Sequence, residues 1–261
     1  MAVHVVTPLH THTHSIIFLH GRDSTAEEFA GELFESQASD GRFLQEIFPS
    51  IRWIFPTSRI RKSARFGVEL SQWFDIWACE SPQESKDLQV AGIRETLEDL
   101  ETIITTEIAR LDGKTNHVFL AGISQGCAAA VLKLLSQPIA PFAGFLGFSS
   151  WLPFQAEIER LGISESSPCM LLHSLFGLNI PIQSPIDPKP SVLGTPVFLA
   201  HCNDDTIIPV ENGEALARHL RELGMNVTWR QYQDGGHWIN EPVGLDDLVT
   251  FIKVCMEVKP S

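Results

Sequence analysis

The chain is short of cysteine, of basic residues and of long apolar runs. Its five cysteines (Cys79, Cys127, Cys169, Cys202 and Cys255) are odd in number and form no CxxC pair. That pattern points to neither a disulfide framework nor a zinc site. No apolar run reaches the length of a membrane-spanning helix. The start, MAVHVVTPLHTHTHS, lacks a basic segment followed by an apolar one, so it does not read as a secretory leader. Lys and Arg total 19 against 32 Asp and Glu, a net charge of −13. Such a surface repels nucleic acid and anionic membranes. No internal repeat or interdomain linker interrupts the 261 residues, so one domain over 1–261 is expected. These absences fit a soluble protein in a reducing, cytoplasmic setting, with no nucleic-acid partner and no stable membrane insertion. A homodimer is left open.

Apolar runs alternating with helical patterns fill the chain. Ser15–His20, Ile51–Phe55, His117–Ala121, Phe142–Phe148, Pro196–His201 and Asn226–Tyr232 read as strands. Thr25–Gln37, Asp87–Leu111, Gly126–Leu135, Glu211–Leu223 and Leu245–Val258 read as helices, with Thr25 as an N-cap and Gly224 as a C-cap. This alternation predicts an α/β fold, a mainly parallel sheet with helices on both faces. Residues 1–14 read as an N-terminal extension. Ser174–Thr195 carries Pro181, Pro185, Pro188 and Pro190 without a period, and reads as a lid-like insert over the pocket. Arg59-Ile60-Arg61-Lys62 reads as a solvated loop.

Gly122-Ile123-Ser124-Gln125-Gly126 matches G-x-S-x-G. The motif alone is weak. Its place between an apolar strand and an Ala-rich helix is that of a nucleophile elbow in an α/β-hydrolase. Ser124 is the candidate nucleophile, at a helix N-terminus that favours a developing anion.

A serine hydroxyl needs a base, and the base an orienting carboxylate. In this fold the chain order is Ser, acid, His. His237 follows the last strand, in the Asp234-Gly235-Gly236-His237-Trp238 loop, and is the candidate base. His173 and His201 precede the expected acid or sit beside it, and His219 lies inside a surface helix. Asp204 and Asp205 both follow the fifth strand, and composition does not choose between them; Asp234, Asp246 and Asp247 are weaker rivals. Two backbone N–H groups should form the oxyanion hole. Gln125 follows the nucleophile, and Arg22 lies in the His20-Gly21-Arg22-Asp23 loop. His10, His12 and His14 would share a face if extended. With no ligand set at metal spacing elsewhere, no metal is expected.

LHG at Leu19–Gly21, SQWFDIW at Ser71–Trp77, AGISQG at Ala121–Gly126, GFSSWLP at Gly147–Pro153, HCNDDTIIP at His201–Pro209 and GGHWI at Gly235–Ile239 come in order along nearly the whole chain. With these pieces the chain resembles the phospholipase/carboxylesterase family that includes the acyl-protein thioesterases. The resemblance implies cofactor-free esterase or thioesterase activity on a small-molecule acyl ester or thioester. Its acid pattern selects Asp205. It also implies an acyl groove bordered by Trp73 and Phe74, with Trp151 and Trp238 as further substrate-binding candidates. Asp23, Cys127 and Cys202 stand where the family commonly has glycine, and the 174–195 insert is longer than in the acyl-protein thioesterases. Alternatives are an acyl-protein thioesterase or lysophospholipase, a natural-product hydrolase or cyclase, and a non-catalytic binding protein on the same scaffold.

Overall fold

A computed structural model describes residues 1–137, 141–160, 168–178 and 191–257. Its strands are β1 (Val3–Val6), β2 (His14–Leu19), β3 (Ile51–Pro56), β4 (Ile60–Lys62), β5 (Glu69–Ser71), β6 (Val118–Ile123), β7 (Gly144–Phe148), β8 (Val197–Cys202) and β9 (Val227–Tyr232). Its helices are α1 (Ala26–Glu35), α2 (Leu44–Ile47), α3 (Gln89–Arg110), α4 (Gln125–Leu135), α5 (Gln155–Glu159), α6 (Pro168–Phe176), α7 (Val210–Glu222) and α8 (Val243–Glu257).

Seven strands form one sheet in the order β1-β3-β2-β6-β7-β8-β9, parallel throughout except for β1. Side chains alternate across each strand. Ile17 and Leu19 of β2 therefore join Ile93 and Leu97 of α3 and Leu132 of α4 on one face. Ile16 and Phe18 join Phe29 of α1 and Leu248 of α8 on the other. Both faces are covered, which is why the central strands read as unbroken apolar runs. From β2 the chain steps outward to β3, then returns to β6 on the other side of β2. The carboxyl ends of β2 and β6 thus flank a topological switch point, the usual place for a site in an open α/β sheet.

Several expectations need correction. Residues 1–14 are not a free extension: Val3–Val6 pairs antiparallel with β3, from Val3↔Pro56 to Val6↔Trp53, and β2 begins at His14. Residues 60–62 are not a loop but strand β4, paired with β5. The arginines flanking Ile60 are tied to Glu95 and Asp99 of α3. The 174–195 insert is partly regular, since Ser174–Phe176 ends α6 and Val192–Gly194 is a 3-10 turn. Residues 179–190, and with them the lid, lie outside the described residues.

The three early histidines do not converge. His10 is exposed, His12 contacts the Ser15 hydroxyl, and His14 stacks on His117 at 4.5 Å between ring centres. Among the described residues no group of three His, Cys, Asp or Glu side chains is placed to hold a metal ion. Among them, too, no helix is long and apolar enough to cross a membrane.

Candidate active site

The elbow glycines are required by space. A Cβ on Gly122 would lie 2.4 Å from the Cys127 nitrogen, and one on Gly126 would lie 2.3 Å from the His20 carbonyl oxygen. Between them Ser124 takes φ 55° and ψ −127°. A non-glycine residue in such a conformation costs on the order of 1–3 kcal/mol, which the surroundings must offset. They do so with two hydrogen bonds: Ser124 N–H donates to Phe148 O at 2.9 Å, and Ser150 Oγ donates to Ser124 O at 2.7 Å. Gln125 opens α4, so its N–H belongs to the unpaired first turn of a helix. Its side chain bridges away from the site, accepting from Trp73 N–H at 3.0 Å and donating to Phe74 O at 2.8 Å.

The loop after β2 comes close to the serine. A Cβ on Gly21 would lie 3.7 Å from Ser124 Cβ. His20 fixes the Gly21–Arg22 peptide. Ser58 N–H donates to His20 Nε2 at 3.0 Å, so the ring proton sits on Nδ1 and donates to Gly21 O at 2.6 Å. In a trans peptide the N–H points opposite to the C=O. Holding the Gly21 carbonyl therefore orients the Arg22 N–H. Burial keeps the His20 imidazole below its ordinary pKa. Asp23 closes the loop at φ 65°, with its N–H on Ser71 O at 2.7 Å. That left-handed backbone explains why glycine suits this position, and why Asp, which tolerates it better than most residues, can replace it.

Asp205 follows β8 and His237 follows β9, both at the carboxyl edge of the sheet. His237 Nδ1 donates to Asp205 Oδ2 at 2.7 Å. Asp205 Oδ1 accepts from the N–H groups of Ile207 and Ile208, at 2.8 and 2.9 Å. Burial opposes ionisation of Asp205, but bonds from His201, His237 and the Ile208 backbone outweigh it and hold the carboxyl well below the usual carboxylate range. Neighbouring Asp204 instead accepts from Gly236 N–H at 2.8 Å, bracing the histidine loop. Among the described residues no hydrogen bond joins Ser124 Oγ to His237. Ser124 follows β6, and Asp205 and His237 follow β8 and β9, so all three stand at the carboxyl edge of the same sheet; bonds of this kind often tighten only around substrate.

Two cysteines flank the site without reactive thiols. Burial pushes the Cys127 thiol up to about 12. Burial, followed by Asp204, Asp205 and Asp234, pushes Cys202 to about 11. Each sulfur fills space beside a glycine: a Cβ on Gly147 would lie 2.7 Å from Cys127 Sγ, and one on Gly235 would lie 2.7 Å from Cys202 Sγ.

Three of the four aromatic candidates are buried and line no open groove. Trp73 and Phe74 are 0 % exposed and Trp151 is 2 % exposed. Trp73 Nε1 donates to His20 O at 2.8 Å, and Thr96 Oγ1 donates to Trp73 O at 2.6 Å. Phe74 fits against Gly92 of α3, where a Cβ would come within 2.6 Å of Phe74 Cα. The SQWF stretch thus ties α3 to the elbow through Gln125. Trp238 is part-buried, packs edge-on against Phe29 at 5.8 Å and turns its indole N–H to Ser36. It borders an open cavity of about 390 Å³ with Glu32, Glu35, Ser36 and Glu241. Sequence reasoning gave no role to His20, Ser150 or the Gln125 side chain, whose parts here are hydrogen bonds across the fold. His201 it set aside on chain order alone.

The model of the phospholipase/carboxylesterase family matches residues 1–186 and 176–256. An acyl-protein thioesterase 1 of Gibberella zeae is 27% identical over 245 residues, covering 93% of this chain and 90% of the relative. A probable inactive carboxylesterase of Oryza sativa subsp. japonica is 26% identical, covering 85% of this chain and 77% of the relative. The crystal structure of Zea mays acyl-protein thioesterase 2 superposes with a TM-score of 0.70 at 22% identity, covering 98% of this chain and 99% of that one. That likeness shows the α/β-hydrolase fold. The chain belongs to the phospholipase/carboxylesterase family of α/β-hydrolases.

Proposed function

We propose that this chain is a serine hydrolase that cleaves carboxylic esters or thioesters through an acyl-enzyme on Ser124. The observation that carries this reading is the His237–Asp205 hydrogen bond at the sheet edge where the strained Ser124 immediately precedes α4. His237 Nε2 takes the Ser124 proton as Oγ bonds to the acyl carbon. The carbonyl electrons move to oxygen, where the N–H groups of Gln125 and Arg22 receive the charge. Collapse expels the alcohol or thiol, protonated by His237. Water then enters and gives its proton to His237 as its oxygen bonds to the acyl carbon; collapse breaks the bond to Ser124 Oγ, which takes that proton back from His237, and the acid leaves. No step needs a cofactor. Unpaired Cys79, Cys127, Cys169, Cys202 and Cys255 support the cytoplasmic setting carried over from the sequence.

Ser124→Ala tests the reading. Hydrolysis of a p-nitrophenyl acyl ester should fall by at least about 10³-fold while the melting curve stays within a few degrees. Turnover equal to the wild type in that variant would remove Ser124 from the chemistry. A wild type that is folded but inert toward esters and thioesters of graded chain length would instead favour a non-catalytic binding protein on this scaffold.

A further inference from the structure

Asp205 serves two histidines. Its Oδ2 faces His237 Nδ1 at 2.7 Å and His201 Nε2 at 3.1 Å. His201 Nε2 also meets Ile208 O at 3.0 Å. Carboxylate and carbonyl are both acceptors, so the proton of His201 must sit on Nε2. The other nitrogen is sealed away. His201 is 1 % exposed, and its Nδ1 is buried without a partner. A Cβ on Gly213 of α7 would lie 2.4 Å from that nitrogen and 2.8 Å from Cη2 of Trp229 in β9. The fold accepts an unsatisfied buried nitrogen here, which costs on its own account. The return is a donor aimed at Asp205.

We propose that His201, fixed as the Nε2–H form, is a positioning residue that clamps Asp205 Oδ2 and keeps that carboxylate aimed at His237. This rests on the serine-hydrolase reading above. The clamp leaves Asp205 few ways to turn. Oδ1 is held by two backbone N–H groups on the 207–208 turn, and Oδ2 by two imidazoles from β8 and from the loop before α8. The titratable groups acting on Asp205 are His201 and His237, while Asp204, Asp205 and Asp234 act on the nearby Cys202 thiol; α7 presents Gly213 and β9 presents Trp229 to His201.

The test compares His201→Leu, which removes the donor, with His201→Gln, whose amide nitrogen can occupy the place of Nε2. Both are assayed on p-nitrophenyl butyrate beside the wild type and Ser124→Ala, with melting curves as the fold control. His201→Leu should lose roughly 10- to 100-fold in kcat with KM within about threefold, the effect of losing one donor to a charged group. Freed of that donor, the carboxylate should hold the His237 proton more tightly, moving the acid limb of kcat/KM to higher pH. His201→Gln should recover most of the loss. A folded His201→Leu with wild-type kcat and an unmoved acid limb would overturn the proposal, as would a folded His201→Gln no better than it. Should both variants fail to fold, NMR of wild-type protein carrying 15N-histidine decides. A proton on His201 Nε2 is the expected result, and one on Nδ1 overturns it. Full activity in Ser124→Ala would instead strike the hydrolase reading itself, so the two failures are distinct.

Discussion

Ser124 and Asp205 are each held in place by several hydrogen bonds from their neighbours. The serine is pinned by Phe148 O and Ser150 Oγ, and the aspartate by two N–H groups and two imidazoles. Asp205→Asn is the sharpest single change at this scale. It keeps the shape but replaces an acceptor oxygen, so the His237 proton loses its partner. Activity should fall on the order of 10³- to 10⁴-fold with KM little changed, measured on the same ester. A loss under about tenfold would mean that Asp205 does not orient His237. The stability effect has a definite sign. A carboxyl held below its usual range stabilises the fold above that range and loses the contribution only as pH falls through the folded value. Composition left Asp204 and Asp205 undecided because both follow the same strand. The family resemblance pointed to Asp205, and the hydrogen bonds separate the two: one braces Gly236, the other holds His237.

Elements with two buried faces were the ones that their residues announced. The apolar runs of β2, β6, β7 and β8 are buried along their lengths and stood out at once. Strand β1 and the β4–β5 pair are short and half-exposed, so they carry little apolar signal. Helix α6 did carry one, with Cys169, Leu172, His173 and Phe176 buried at three- and four-residue spacing, but it borders the proline-rich stretch that masked it. Hydrogen-bonded supports such as His20 and His201 lack any periodic signal, because what they hold is a main-chain atom or a carboxylate in a turn after the strand.

The foot of β2 has its own pH response. Burial, then the charges of His117 and His12, lowers His14 to about 4. Between pH 6.5 and 4 the unfolded chain binds a proton there that the folded chain refuses. Stability is therefore full above pH 6.5 and falls as pH drops toward 4, by up to about 3 kcal/mol from this group. His14→Phe, which keeps a ring against His117, should shrink the difference between urea melts at pH 7.5 and 4.5. An unchanged difference would place the acid sensitivity elsewhere.

At the scale of the whole molecule, the sheet divides support from chemistry. His20, Ser124, Asp205 and His237 follow β2, β6, β8 and β9 at the carboxyl edge of the sheet, while β1 lies at the far edge beyond β3. Removing residues 1–6 should uncover the β3 edge, lower the melting temperature by several degrees and favour aggregation. The kcat of the remaining folded protein should stay within about twofold, since no residue of β1 reaches the site. A selective loss of kcat at unchanged stability would contradict this division. The most direct measurement is covalent: reaction of the native protein with a fluorophosphonate, followed by peptide mass spectrometry. One residue, Ser124, should be labelled, with labelling lost on heat denaturation and strongly reduced in Asp205→Asn. A folded protein that takes no label, or takes it elsewhere than Ser124, would contradict Ser124 as the nucleophile.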